Sequence, residues 1–188
     1  MESSAQPPTI SAEHLARLQA HIRCVPDFPK PGIVFRDITP LLANAESLAL
    51  SIKAMAAPFR DRGVELVVGA ESRGFIFGTS IARDLDCGFV PIRKGGKLPA
   101  KTVSQDYQLE YGTDRLEIHA DAVSAGQKVL IVDDLLATGG TMRTCCELVR
   151  RLEGEIVGIS FLIELASLGG RQAVGDYEIY ALISYDAE

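Results

Sequence analysis

Apolar residues change their spacing several times along this chain, and each change marks an element. Behind Ser11, Leu15, Leu18 and Ile22 recur at helical spacing, and Ser11 is a natural N-cap. Residues 26–32 carry three prolines and a glycine, which forbid regular structure. Residues 33–40 read as a short extended segment closing in a turn. Leu48, Ile52, Met55, Ala56 and Phe59 then share one side of a predicted helix over 46–62. Pro58 weakens its last turn and Gly63 ends it. From Leu66 the pattern becomes an alternation. Short apolar runs at 66–68, 88–92, 129–132, 156–163 and 180–183 read as strands, with Pro91 hinting at an edge or irregularity. Residues 75–84 and 142–152 read as helices between them. Residues 107–111 and 115–119 read as a hairpin around Gly112-Thr113-Asp114.

Strands alternating with helices predict an α/β fold, a mostly parallel central sheet flanked by helices. No repeat and no linker divides the chain, so 1–188 is expected to be one domain, with 1–10 a disordered tail rich in Ser, Gln and Pro. Composition is ordinary, at 47% apolar and 23% charged. Net charge is −6, which argues against a nucleic-acid binder. A polyanionic partner must therefore meet a local positive cluster, and Arg93, Lys94, Lys97 and Lys101 form one. Cys24, Cys87, Cys145 and Cys146 form no Cys-x-x-Cys pair, so free thiols are expected. No secretory leader pattern and no membrane-length apolar run appears; a cytoplasmic location is expected, with no membrane partner.

The candidate chemistry lies in residues 129–141. Val129-Leu130-Ile131-Val132 is apolar throughout, as suits a parallel strand buried on both faces. Asp133 and Asp134 follow at its carboxyl end, where open α/β sheets bind ligands. Ala137, Thr138, Gly139, Gly140 and Thr141 then lead into a helix. Two glycines let backbone N–H groups converge at a helix N-terminus, an anion site. Paired acids that seek hydroxyls beside a cradle for one phosphate describe a site for ribose 5-phosphate. Neither a Walker phosphate loop nor a Gly-x-Gly-x-x-Gly fingerprint is present. A second strand–loop–helix unit places Glu71, Ser72 and Arg73 at another helix start, and an arginine fork suits phosphate.

The run 129–141 resembles the phosphoribosyl pyrophosphate (PRPP) signature of the type I phosphoribosyltransferases. The resemblance implies that family's fold, with a small N-terminal hood at about 24–40 and a flexible lid loop. It implies that Asp133 and Asp134 hold the ribose hydroxyls and that Ala137 to Thr141 hold the 5-phosphate. Glu71, Ser72 and Arg73 match the pyrophosphate loop, in which the Glu71–Ser72 bond is expected to be cis; the family often has Asp where Glu71 stands. Arg93, Lys94 and Lys97 would meet the pyrophosphate from the lid, with Gly95 and Gly96 giving it freedom. Mg²⁺ is implied, carried by PRPP and pyrophosphate with few or no direct protein ligands.

Residues 29–40, 92–99 and 108–112 further resemble the members of this family that use adenine, giving AMP and pyrophosphate in purine salvage. There, backbone groups of Val34 and Arg36 would read the adenine edge, Phe35 would stack on it, and Leu135 would form the opposite wall. From residue type alone Phe35 also fits a core aromatic. Glu110 becomes the candidate acid–base group, with Tyr111 shaping its loop; from spacing alone Glu110 reads as a surface glutamate. Arg73, facing the leaving group, joins it as a catalytic candidate. A homodimer is implied by the resemblance. Two rivals remain at this point: a PRPP-sensing regulator, which would want a DNA-binding module and a basic surface, and an enzyme for another purine such as hypoxanthine or xanthine.

Overall fold

The computed structural model describes residues 10–108 and 113–186, without the side chains of Gln108 and Thr113. Helix α1 (Ala12–Ala20) starts where expected, its first turn capped by the Ser11 hydroxyl, which accepts the His14 N–H at 3.2 Å. A small ribbon follows, β1 (Arg23–Val25) antiparallel to β2 (Phe35–Asp37). Helix α2 (Thr39–Ala43) opens on Pro40, and α3 (Ala45–Ala56) is capped by Asn44, whose side chain accepts the Ser47 N–H at 2.9 Å. Strand β3 (Leu66–Ala70), helix α4 (Gly74–Asp84) and strand β4 (Gly88–Lys94) form the first parallel unit. The hairpin arms are β5 (Thr102–Gln108) and β6 (Thr113–His119). Then come β7 (Lys128–Leu136), α5 (Gly140–Arg151), β8 (Glu155–Leu165), α6 (Gly170–Val174) and β9 (Ile179–Tyr185).

Seven strands make one sheet in the order β5-β6-β4-β3-β7-β8-β9. The five from β4 to β9 run parallel, and the hairpin extends the sheet antiparallel through Arg93 and Lys94 of β4. Alternate residues of the central strands enter different cores. Leu66, Val68, Val129 and Ile131 pack with α5 through Met142, Cys145 and Val149. Val67, Leu130 and Val132 pack on the other face with α3 and α4 through Met55, Phe77 and Ile81. Burial on both faces is why these strands read as unbroken apolar runs. The chain winds outward from β3 in one direction and from β7 in the other. The crevice between their carboxyl ends is therefore the switch point where such sheets bind ligands.

Several expected boundaries move. The helix expected over 46–62 ends as an α-helix at Ala56 and tightens into a 3₁₀ turn at Ala57–Phe59, because Pro58 has no N–H to continue the ladder. Residues 39–43 are helical where a turn was expected; a proline near a helix start costs nothing there. The loop expected from Arg93 begins two residues later, since Arg93 and Lys94 pair with Glu117 and Leu116. Strand β5 starts at Thr102, five residues before the expected arm, because its residues are mostly polar and half-buried and give no apolar run to read. Pro91 sits opposite Gly69 on the β3 side, while β6 pairs β4 only at Arg93 and Lys94, so the proline occupies an edge-like stretch of an inner strand.

Candidate active site

The carboxyl ends of β3 and β7 frame a pocket of about 460 Å³. Its wall is made by Glu71, Ser72 and Arg73 after β3, Lys94 at the end of β4, and residues 133–142, which run from the last residues of β7 into the start of α5. The sequence places Gly139 at the N-cap of α5 with φ +84°, a left-handed conformation open to glycine. No side chain caps this helix start. Its first N–H groups have no partner inside a helix, and the residues that carry them, Gly140, Thr141 and Met142, line the pocket. Thr138 is exposed there, and Gly140 and Thr141 are half-buried.

Asp133 and Asp134 stand at the inner wall. Asp133 Oδ1 accepts the Asp134 N–H at 2.9 Å. The Asp133 residue keeps some surface, yet its carboxylate is enclosed, and burial together with the neighbouring Asp134 pushes its pKa well above the usual carboxylate range. Asp134 is 4% exposed, and burial raises it too, opposed mainly by Arg73. The Arg73 Nε lies 3.0 Å from Asp134 Oδ2, an ion pair off the line of a hydrogen bond, so that buried oxygen accepts none. A buried acceptor in that state suits a hydroxyl donor.

The peptide bond between Glu71 and Ser72 is cis, as the resemblance implied. The loop that carries it leads directly into α4, and Arg73 is the residue before the helix. Arg73 also lies over the Phe35 ring, 5.5 Å from its centroid. It thus spans from the acid pair to the hood. Phe35 is half-buried and packs edge-on against Phe28, 5.3 Å away, which settles it outside both main cores. Val34 is half-buried beside it, and Leu135 lines the pocket from β7. The Arg36 side chain turns away from the pocket. It is 6% exposed, donates to Cys24 Sγ at 2.6 Å, and lies 4.1 Å over the Tyr185 ring.

The basic cluster is divided. Lys94 reaches the pocket wall, with its Nζ 3.3 Å from Asp114 of β6. Arg93 faces Glu71 instead, donating from Nε at 3.1 Å, and its Nη1 donates to the Lys97 carbonyl. Glu71 also accepts the Lys94 backbone N–H at 3.1 Å, and the Arg93 guanidinium holds its carboxyl below the usual range. Arg93 and Lys97 are not on the pocket wall in this conformation. Gly95 and Gly96 form a turn whose N–H groups donate to the Arg115 carbonyl and to Glu117. Glu110 and Tyr111 lie outside the described residues. Sequence reasoning missed Asp114, the partner of Lys94, and Leu136 and Met142 on the wall. Asp114 was legible only as a turn residue, Met142 only as a helix start, and Leu136 only as part of the linker before the glycines.

Paired acids, an uncapped helix start and an arginine loop, gathered at the switch point of a mostly parallel sheet, offer the chemistry to hold a phosphorylated sugar. The family model for the phosphoribosyl transferase domain matches residues 37–183. The chain belongs to that family, in its adenine phosphoribosyltransferase branch. It is 54% identical over 171 residues to an adenine phosphoribosyltransferase of Rhodopirellula baltica, covering 91% of this chain and 83% of the relative. Its fold matches the crystal structure of adenine phosphoribosyltransferase from Rhodothermus marinus with TM-score 0.88 and 50% identity, over 93% of this chain and 100% of that one. It also matches the enzyme of Saccharomyces cerevisiae, solved with an imino-altritol bisphosphate and adenine, with TM-score 0.86 and 36% identity over 92% and 99% of the chains.

Proposed function

We propose that this protein transfers the phosphoribosyl group of PRPP to adenine, giving AMP and pyrophosphate in purine salvage. The observation that carries this is the meeting of Asp133 and Asp134, the uncapped start of α5 and the Arg73 loop in one pocket. The acids accept the ribose hydroxyls, and residues 137–141 wrap the 5-phosphate, whose charge the helix start favours. Ser72, Arg73 and Lys94 face the pyrophosphate. Lys94 would exchange Asp114 for it, and Arg93 and Lys97 would join only if the 93–97 segment rearranges. That segment is tied to β6, so closure as a lid carries the hairpin with it.

Adenine lies between Phe35 and Leu135, with backbone groups of Val34 and Arg36 reading its edge. The bond from C1′ to the pyrophosphate oxygen breaks and its electron pair leaves with pyrophosphate, the bond from N9 to C1′ forms, and the N9 proton passes to water or to the released pyrophosphate. Glu110, as a protonated carboxyl at N7, keeps charge from building on the purine. Mg²⁺ neutralises the departing pyrophosphate when bound. The lining is chemically compatible with it: the carboxylates of Asp133 and Asp134 are hard oxygens of the kind Mg²⁺ takes, but in this reading they are committed to the ribose hydroxyls, so the ion would be carried by PRPP and pyrophosphate with few or no direct protein ligands. Substrate oxygens and water would complete its shell.

The protein acts in the cytoplasm as a homodimer in this reading. No helix among the described residues is long and apolar enough to cross a membrane. The reading is tested by following AMP formation from PRPP with adenine, hypoxanthine, xanthine or guanine. Adenine alone should be consumed, and Glu110→Gln should lower kcat by about 10²-fold or more with adenine binding little changed. Consumption of another purine, or none, refutes the assignment. Equal losses in turnover and binding remove Glu110 from acid–base work.

A further inference from the structure

Residues 166–175 lie directly behind the phosphate turn, and two glycines meet there. A Cβ on Gly139 would stand 2.6 Å from the Gly170 carbonyl oxygen and 3.0 Å from the Ala173 Cβ. A Cβ on Gly170 would stand 2.3 Å from the Ala137 carbonyl oxygen and 2.8 Å from Leu136 Cγ. The two glycines are reciprocal: each lacks a side chain where the other segment's backbone passes. They differ in one respect. Gly139 has φ +84° and needs glycine for its conformation as well. Gly170 is helical, buried, and has a backbone that any residue adopts. Glycine is required at 170 only for the space it leaves.

A clamp holds this contact closed. Glu164 lies opposite Leu136 in the β7–β8 ladder and is 7% exposed. It accepts two hydrogen bonds from Arg171, from Nε and Nη2, both at 2.7 Å. Arg171 Nη1 donates to the Ile179 carbonyl of β9 at 2.8 Å. A bidentate pair of this kind fixes orientation as well as distance. The ring of contacts runs from Leu136 across the ladder to Glu164, to Arg171, to its neighbour Gly170, and back to the Ala137 carbonyl. The residue at the head of the phosphate turn is thereby fixed from behind.

We propose that Gly170, Arg171 and Glu164 are positioning residues for the phosphorylated end of the substrate. They set the depth and curvature of the turn 137–141, and so the direction of its N–H groups, without touching ligand. This rests on the reading of that turn as the 5-phosphate cradle. A methyl at 170 must push Ala137 outward, toward the ligand. An unclamped α6 lets the turn relax backward. Both changes misplace the phosphate, and a displacement near 1 Å at such a contact costs up to about 10²-fold.

The test measures steady-state kinetics, AMP binding and melting temperature for Gly170→Ala, Glu164→Gln, Arg171→Lys and Arg171→Met, with the double variant Thr138→Ala/Thr141→Ala as a reference. Glu164→Gln keeps the shape of the clamp and guards against a Gly170 variant that fails to fold. Gly170→Ala and Arg171→Met should raise the KM for PRPP and weaken AMP by about tenfold or more, while the KM for adenine stays within about twofold. Glu164→Gln and Arg171→Lys, which retain part of the clamp, should fall between these and the wild type. A purely structural role would instead lower melting temperature and active fraction and leave the two KM values in their normal ratio; that result overturns the proposal. If the Thr138/Thr141 variant raises the PRPP KM and the Gly170 and Arg171 variants do not, only the buttress is refuted. If the reference itself leaves PRPP unaffected, the cradle reading fails and this inference falls with it.

Discussion

Asp133 shows how function is set against stability at one residue. Its carboxyl is enclosed beside a second acid, and its pKa is raised. A raised acid pKa means that the folded chain holds the proton more tightly than the unfolded chain. That contribution to stability is complete below the ordinary carboxylate range and is lost as pH rises through the raised value. Above the raised value the ligand-free fold carries a charge that burial opposes. Asp133→Asn should flatten the dependence of the melting temperature on pH above the ordinary carboxylate range, and raise that temperature by several degrees wherever the wild-type carboxylate is ionised. It should also lower kcat/KM for PRPP about tenfold to a hundredfold, the worth of a charged hydrogen bond. Thermal scans between pH 4 and 8 check the first part; a curve unchanged from wild type would refute it. The thiols make a second residue-scale case. Cys24 is exposed, whereas burial pushes Cys145 well up and Cys146 up to about 12. A maleimide should label Cys24 first and leave Cys145 and Cys146 unmodified until the protein unfolds, as peptide mapping would show.

At the scale of elements, the β3–α4 loop joins three parts of the site through one side chain. Arg73 pairs with Asp134, lies over Phe35 and faces the pocket. Arg73→Ala should raise the KM for PRPP by about tenfold, consistent with loss of a charged phosphate contact, and slow the reverse reaction at fixed pyrophosphate. An unchanged pyrophosphate dependence would remove it from the site. This loop was legible in sequence because strand, turn and helix start follow within nine residues. So was residues 129–141, where strand period, acids and glycines are all local signals. The hood ribbon was only half legible. Arg23 to Val25 has no apolar run, and it is a strand because Phe35 to Asp37, across a proline-rich excursion, returns to pair with it. The Arg93–Glu71 pair was illegible for a related reason. Its partners lie 22 residues apart in the chain and meet only because β3 and β4 are neighbours.

For the whole molecule, two cores separated by the sheet make its strands the common wall of everything else. Phe161 of β8 is fully buried in the core that also holds Ile131 and Cys145. Phe161→Ala should cost about 3–5 kcal/mol, read from the denaturant midpoint at unchanged slope. A loss under about 1 kcal/mol would mean that the core collapses around the gap. The strand order has a further consequence. The two turns that would grip the ends of PRPP leave adjacent strands, β3 and β7. Neighbouring strands stand about 4.8 Å apart whatever their side chains. The span between the two anion grips is thus measured out by backbone hydrogen bonding, like marks on a ruler. Mutation can alter how firmly, and at what depth, either end is held, but selecting a donor with a much longer or shorter reach between its charges would require a different strand between them.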